Sequence, residues 1–262
     1  MKKCSYLSHE HPIRLAHRGS RLLWPENTLT AFQGAADHNC IYIETDLHVT
    51  KDNIIVTFHD DRLDRLTNGS GPINDWLWKD LKQLDAAHNF KPNDGFPMRN
   101  KNIGIPTLEE AMKTFPNLMF NLDLKQPGIE EIVANFIKTN NYEDRILIAS
   151  SVDSRTKKCR NLLNNTIATS TGTLETTLFL LTSRLKQAPN SKANALQVPL
   201  NLKGIQVVDK KFIDTAHKIG LQVHVWTIND ESTMKKLLNL GVDGIVTDRI
   251  DLLNKVIAEL KA

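Results

Sequence analysis

The residues with the most chemistry in this chain lie in its first quarter. Glu44 and Asp46 stand two apart in Ile41-Tyr42-Ile43-Glu44-Thr45-Asp46-Leu47-His48-Val49, which alternates with the period of a strand. Tyr42, Glu44, Asp46 and His48 then share one face, and Ile41, Ile43, Leu47 and Val49 the other. Two carboxylates on one covered face repel each other and resist burial, and a hard divalent cation relieves both penalties. A histidine closes the next apolar run, Ile54-Ile55-Val56, at His59-Asp60. Another precedes the pair in Ala16-His17-Arg18-Gly19. A lone histidine is more often structural. Two imidazoles beside paired carboxylates and an arginine are the parts of a site that breaks a phosphodiester: imidazoles to move protons, cations to hold the anion.

Such groups must be brought together by the fold. Short apolar runs alternate with helix-period segments along the whole chain. Strands are predicted at 13–17, 41–49, 118–125, 145–150, 166–171, 195–200, 221–227 and 244–248. Helices are predicted at 28–38, 107–115, 129–139, 154–163, 174–185, 211–218, 230–240 and 251–260. Eight such units point to an α/β protein, a single (β/α)8 TIM barrel spanning residues 1–262. A doubly wound sheet is the alternative, but no G-x-G-x-x-G turn follows the first strand. Residues 60–106 break the repeat and read as an insertion after the second barrel strand, anchored by Trp76 and Trp78. Asn27 or Thr28 caps the first helix, and Gly220 and Gly241 mark helix ends.

In barrels, reacting groups gather at the C-terminal ends of the strands. His17 ends the first, Glu44 and Asp46 the second, and Asn121-Leu122-Asp123-Leu124-Lys125 the third. Alternation there turns Asp123 and Lys125 inward, where a cation beside a carboxylate suits phosphate binding. Trp226 ends the seventh strand, as a cap on the core or as a substrate contact. Asp248 ends the eighth. His224 sits deeper on the face of Trp226 and reads as structural.

Composition narrows the classes. The chain has 262 residues, 33 basic and 30 acidic, and a net charge of +3 without a dense basic block, so nucleic acid is a poor partner. Cys4, Cys40 and Cys159 form no metal or disulfide pattern and read as free thiols of a reducing, cytoplasmic compartment. The basic N-terminus has no apolar run of a signal peptide, and no stretch of about 18 apolar residues occurs.

Ala16-His17-Arg18-Gly19, Pro25-Glu26-Asn27-Thr28, Glu44-Thr45-Asp46, Thr50-Lys51-Asp52 and His59-Asp60 together resemble the signature of the glycerophosphodiester phosphodiesterase family. Asp64 to Gly69, Val225 to Asn229 and Gly241 to Asp248 resemble its later blocks. The resemblance spans nearly the whole chain. It implies a TIM-barrel hydrolase of lipid and glycerol metabolism that releases glycerol 3-phosphate and an alcohol. Glu44, Asp46 and Asp123 become metal ligands, His17 and His59 the acid–base pair, and Arg18 and Lys125 phosphate contacts. All-oxygen ligands favour Mg2+, Ca2+ or Mn2+ over zinc. The chain departs from the family in having Asp123 where Glu is common, and Arg249-Ile250-Asp251 where a proline is frequent. Metal-free phosphatidylinositol phospholipases and venom phospholipase D toxins are rivals on the same barrel. The first would not need three carboxylates, and the second carry disulfide-closed loops. A non-catalytic diester-binding protein would not need two histidines. Between its tryptophans the insertion is rich in Asn, Asp, Lys and Gly and has no apolar run with a basic face. The expected substrate is therefore a small, deacylated glycerophosphodiester, without stable membrane association. Trp24, in the loop after His17, is expected near the mouth of the site.

Overall fold

The computed structural model describes residues 5–8, 11–185, 187–202 and 204–261. Cys4 lies outside them; Cys40 and Cys159 are buried free thiols. Eight parallel strands run β1 (Ile13–His17), β2 (Tyr42–Val49), β3 (Met119–Leu124), β4 (Ile146–Ala149), β5 (Ala168–Thr169), β6 (Ala195–Pro199), β7 (Gln222–Trp226) and β8 (Gly244–Thr247). Between them run α1 (Leu29–Asp37), α2 (Leu108–Thr114), α3 (Glu130–Asn140), α4 (Asp153–Leu162), α5 (Thr173–Ser183), α6 (Lys210–Lys218) and α7 (Glu231–Leu240), and α8 (Ile250–Lys261) follows the last strand. The strands are ordered β5-β4-β3-β2-β1-β8-β7-β6. A parallel bridge, Ser170 to Ala195, brings the two ends together and nearly closes the barrel. All eight predicted strands and all eight predicted helices are present, with ends shifted by at most two residues.

The alternation in the sequence separates two apolar regions. Ile43, Leu47, Phe120 and Leu122 point outward and pack with Phe32 and Met112 on the flanking helices. Inward-facing Leu15, Tyr42, Leu147, Ala168 and Val246 fill the lower barrel beneath the site. Tyr6, from the segment Ser5–Leu7, seals that end; its carbonyl accepts from the Tyr42 hydroxyl at 2.6 Å, and the two rings meet edge to face.

Local signals set the helix ends. Thr28 Oγ1 accepts from the amide of Ala31, and Thr107 and Glu110 form a reciprocal capping box. Gly241 ends α7 in the left-handed conformation at φ 91°. Between β2 and α2 the chain leaves the barrel. A short strand, Ile55–Thr57, pairs antiparallel with Leu47–Val49 and turns the chain back over the barrel end. Residues of the following insertion form their own apolar cluster around Phe58, Leu63, Ile73 and Leu81, against which Trp76 and Trp78 pack, half-buried.

Candidate active site

Strand register brings the carboxylates together. His17 pairs with Glu44 across β1 and β2, and Asp46 with Asp123 across β2 and β3. In-register neighbours on parallel strands share a face, so all four look into the barrel mouth. Ligand oxygens of Glu44, Asp46 and Asp123 lie within 4.8 Å of one another. Although Asp123 is one methylene shorter than Glu, its register with Asp46 keeps it in the group. His17, Arg18, Glu44, Asp46, His59, Asp123, Lys125 and Trp226 all line one cleft of about 540 Å³. The sequence reading thus named residues that share a cavity.

The carboxylates are not left as a bare negative cluster. Lys125 Nζ lies 2.6 Å from Asp123 Oδ2 and 3.1 Å from Asp46 Oδ1. Arg18 Nε is 3.3 Å from Asp46, and its backbone amide donates to Glu44 at 3.1 Å. Burial opposes the charge of Asp46, but Lys125 and Arg18 outweigh it and hold the carboxyl below its ordinary range. Glu44 is less compensated: burial, then the charge of Asp46, push it up to about 7. Three convergent oxygens, one of them reluctant to ionise, fit a hard divalent cation. The ammonium of Lys125 between two of them shows that the cluster accepts positive charge.

Both histidines are oriented by an aspartate. His17 Nδ1 lies 2.6 Å from Asp248 Oδ1, and His59 Nδ1 lies 2.6 Å from Asp60 Oδ1. Burial opposes ionisation of both aspartates, yet hydrogen bonds and neighbouring cations bring each down to about 2. Ionised acceptors make each Nδ1 the donor and leave Nε2 as the nitrogen that can take or give a proton in the cleft. His17 Nε2 is 3.9 Å from Glu44. Asp248 is held in turn by Arg21 at 3.0 Å and Asn229 at 2.9 Å. Asp60 is held by Arg65 at 2.6 Å, and Arg65 reaches Glu26, which also accepts from Arg18 at 2.8 Å. His59 is not on a barrel strand. The short strand before it delivers it: the amide of Phe58 donates to Asp46 O at 2.9 Å, and His48 Nε2 meets the carbonyl of His59 at 3.2 Å.

Sequence reasoning gave no role to Glu26, Arg65, Asp60, Asp248 or Arg21. The first four lay inside quoted motifs, so the signal was present without its geometry. Asn27, placed only as a cap, also donates to Asp46 at 2.9 Å; Thr28 caps the helix. Trp226 lies on the cleft wall, 44% exposed, and does not close the core. His224 is fully buried against Gln197 and Gln222, and burial lowers it to about 4, as a structural residue requires. Trp24 departs from expectation. It does not line the cleft; its ring packs on Gly34 of α1 and meets His38 edge to face, on the outside of the barrel.

A nearly closed parallel barrel with convergent carboxylates and two aspartate-held histidines at its C-terminal end defines a hydrolase of phosphate esters. The model of the glycerophosphoryl diester phosphodiesterase family matches residues 17–252, so the chain belongs to that family and is an enzyme of its class. It is 32% identical over 257 residues to a glycerophosphodiester phosphodiesterase of Bacillus altitudinis, covering 94% of this chain and 98% of that one. A glycerophosphoryl diester phosphodiesterase domain from Mycobacterium tuberculosis superposes with a TM-score of 0.82 at 20% identity, over 95% of this chain and 100% of that one. An Oleispira antarctica phosphodiesterase, solved with its product sn-glycerol-3-phosphate, superposes with a TM-score of 0.75 at 26% identity, over 96% and 98%.

Proposed function

We propose that the chain hydrolyses small glycerophosphodiesters to glycerol 3-phosphate and an alcohol, with a divalent metal held by Glu44, Asp46 and Asp123. The observation that carries this reading is the pair of imidazoles, each fixed at Nδ1 by an ionised aspartate, beside that carboxylate trio. The product-bound Oleispira relative supports the choice of product. When bound, a magnesium, calcium or manganese ion would polarise a non-bridging phosphate oxygen.

The chain's own residues do the rest. Arg18 and Lys125 balance the negative charge that the diester adds to the carboxylates. His17 is the deeper imidazole, its side chain 14% exposed against 31% for His59, and it faces Glu44. It takes the proton from the nucleophile, read as the neighbouring glycerol hydroxyl, whose oxygen bonds to phosphorus. His59, at the rim where the alcohol departs, gives its proton to the leaving oxygen as that P–O bond breaks. An alkoxide leaves poorly near neutral pH, which is why an acid is needed. Water then opens the cyclic phosphate, with the two imidazoles exchanging roles. Trp226 forms one wall for the substrate.

The test is a pair of variants read by metal titration and by turnover. Glu44→Gln is expected to weaken metal binding and lower turnover together, whereas His17→Ala loses turnover and keeps the metal. A Glu44→Gln variant with undiminished metal binding would remove the carboxylate trio from the account.

A further inference from the structure

Beside the cleft, α5 is apolar on both sides. Phe179 packs into the core, while Leu174, Leu178, Leu181 and, just past the helix end, Leu185 are 51–75% exposed. Their spacing of four, three and four residues makes one stripe. A small hairpin, Asn201–Leu202 paired with Ile205–Gln206, adds Leu202 and Ile205 as an exposed cross-strand pair. Arg184, at the end of α5, donates to the carbonyl of Gln206 at 2.8 Å and ties the two pieces together. With Trp226 these side chains make seven of the twelve large exposed apolar residues among those described. Scattered exposed leucines are ordinary, but a contiguous patch marks an interaction. The patch runs into the cleft, since Thr173, Thr177, Leu202 and Trp226 line its wall.

Charge indicates what covers it. From the start of α5 to the end of α6, residues 173–218 hold Arg184, Lys186, Lys192, Lys203, Lys210, Lys211 and Lys218 against Glu175, Asp209 and Asp214. That surplus of four exceeds the surplus of three in the whole chain, so the rest of the molecule is nearly neutral. We propose that this face docks on an anionic lipid surface, with the cleft mouth turned toward it. An apolar stripe on a segment with a basic surplus gains both from burial in the interface and from attraction to anionic headgroups. A second copy of the chain on the same face would meet its own positive surplus and cover the cleft mouth. The apolar face lies on the segment after β5 and not on the polar insertion.

The orientation rests on the reading of the cleft as the active site, but docking is measured without turnover. The full chain is sedimented with vesicles of phosphatidylglycerol and phosphatidylcholine in equal parts, and with phosphatidylcholine alone. Binding to the anionic vesicles is expected, weakened by salt and by at least about tenfold in a Leu178→Ser/Leu181→Ser variant. Lys192→Glu, a surface change outside the stripe, is expected to weaken it less. Turnover of a water-soluble diester stays unchanged in both variants and reports an intact fold. No vesicle binding by the wild type, or equal binding by the double variant, overturns the proposal. So does a dimer in sedimentation velocity that Leu181→Ser dissociates, because the face would then belong to a second copy.

Discussion

At the residue scale the site is a set of paired compensations. Asp46 stays ionised because Lys125 and Arg18 face it, and each imidazole is held in one orientation because an aspartate faces its Nδ1. Replacing either His17 or His59 by Ala is expected to lower turnover at least about a hundredfold, within the usual range for general acid–base catalysis, without loss of fold by circular dichroism. With a nitrophenyl diester, whose leaving group needs no proton, His59→Ala regains part of its rate and His17→Ala does not; the reverse pattern would exchange their roles. Asp248 gives a pH prediction. Its folded pKa of about 2 lies below the ordinary 3.8, so its contribution to stability is complete above about pH 4 and is lost as pH falls through 2. It amounts to about 2 kcal/mol. Urea unfolding of Asp248→Asn should show a flatter acid limb than the wild type, and identical limbs would refute the assignment.

Elements position these residues, and here the sequence was legible in part. Every barrel strand carried its period-two pattern or apolar run, and the helices between them a helix-period pattern, so the eight units could be read in order. The strand Ile55–Thr57 was seen as an apolar run, but its antiparallel return along β2 was not, because pairing depends on a partner and leaves no local mark. Glu44, Asp46 and Asp123 were legible because inward alternation on adjacent strands brings them together. Asp248 is 231 residues from His17, and only barrel closure makes them neighbours. Trp24 was misplaced because a loop aromatic has no period to show its direction. Its packing gives a control away from the chemistry. A Cβ on Gly34 would fall 2.3 Å from the Trp24 ring, so Gly34→Ala must displace the indole and is expected to cost about 1–3 kcal/mol by denaturant unfolding. Turnover of the folded variant should be unchanged; an increase in stability would show that Trp24 is loosely held.

For the whole molecule, the barrel separates stability from chemistry. The lower barrel is packed with apolar side chains and sealed by Tyr6, while the charged residues cluster at the opposite, strand-end mouth. No helix among the described residues is long and apolar enough to cross a membrane. The proposed reaction needs a divalent metal at the mouth and two histidines to cleave a glycerophosphodiester. Phosphorus NMR of glycerophosphoglycerol incubated with the purified chain tests it most directly, first with excess EDTA and then with magnesium, calcium or manganese restored. Glycerol 3-phosphate should be absent under chelation and accumulate once an ion is returned. Full release in EDTA from a protein shown by elemental analysis to hold no metal would mean that the reaction needs no ion.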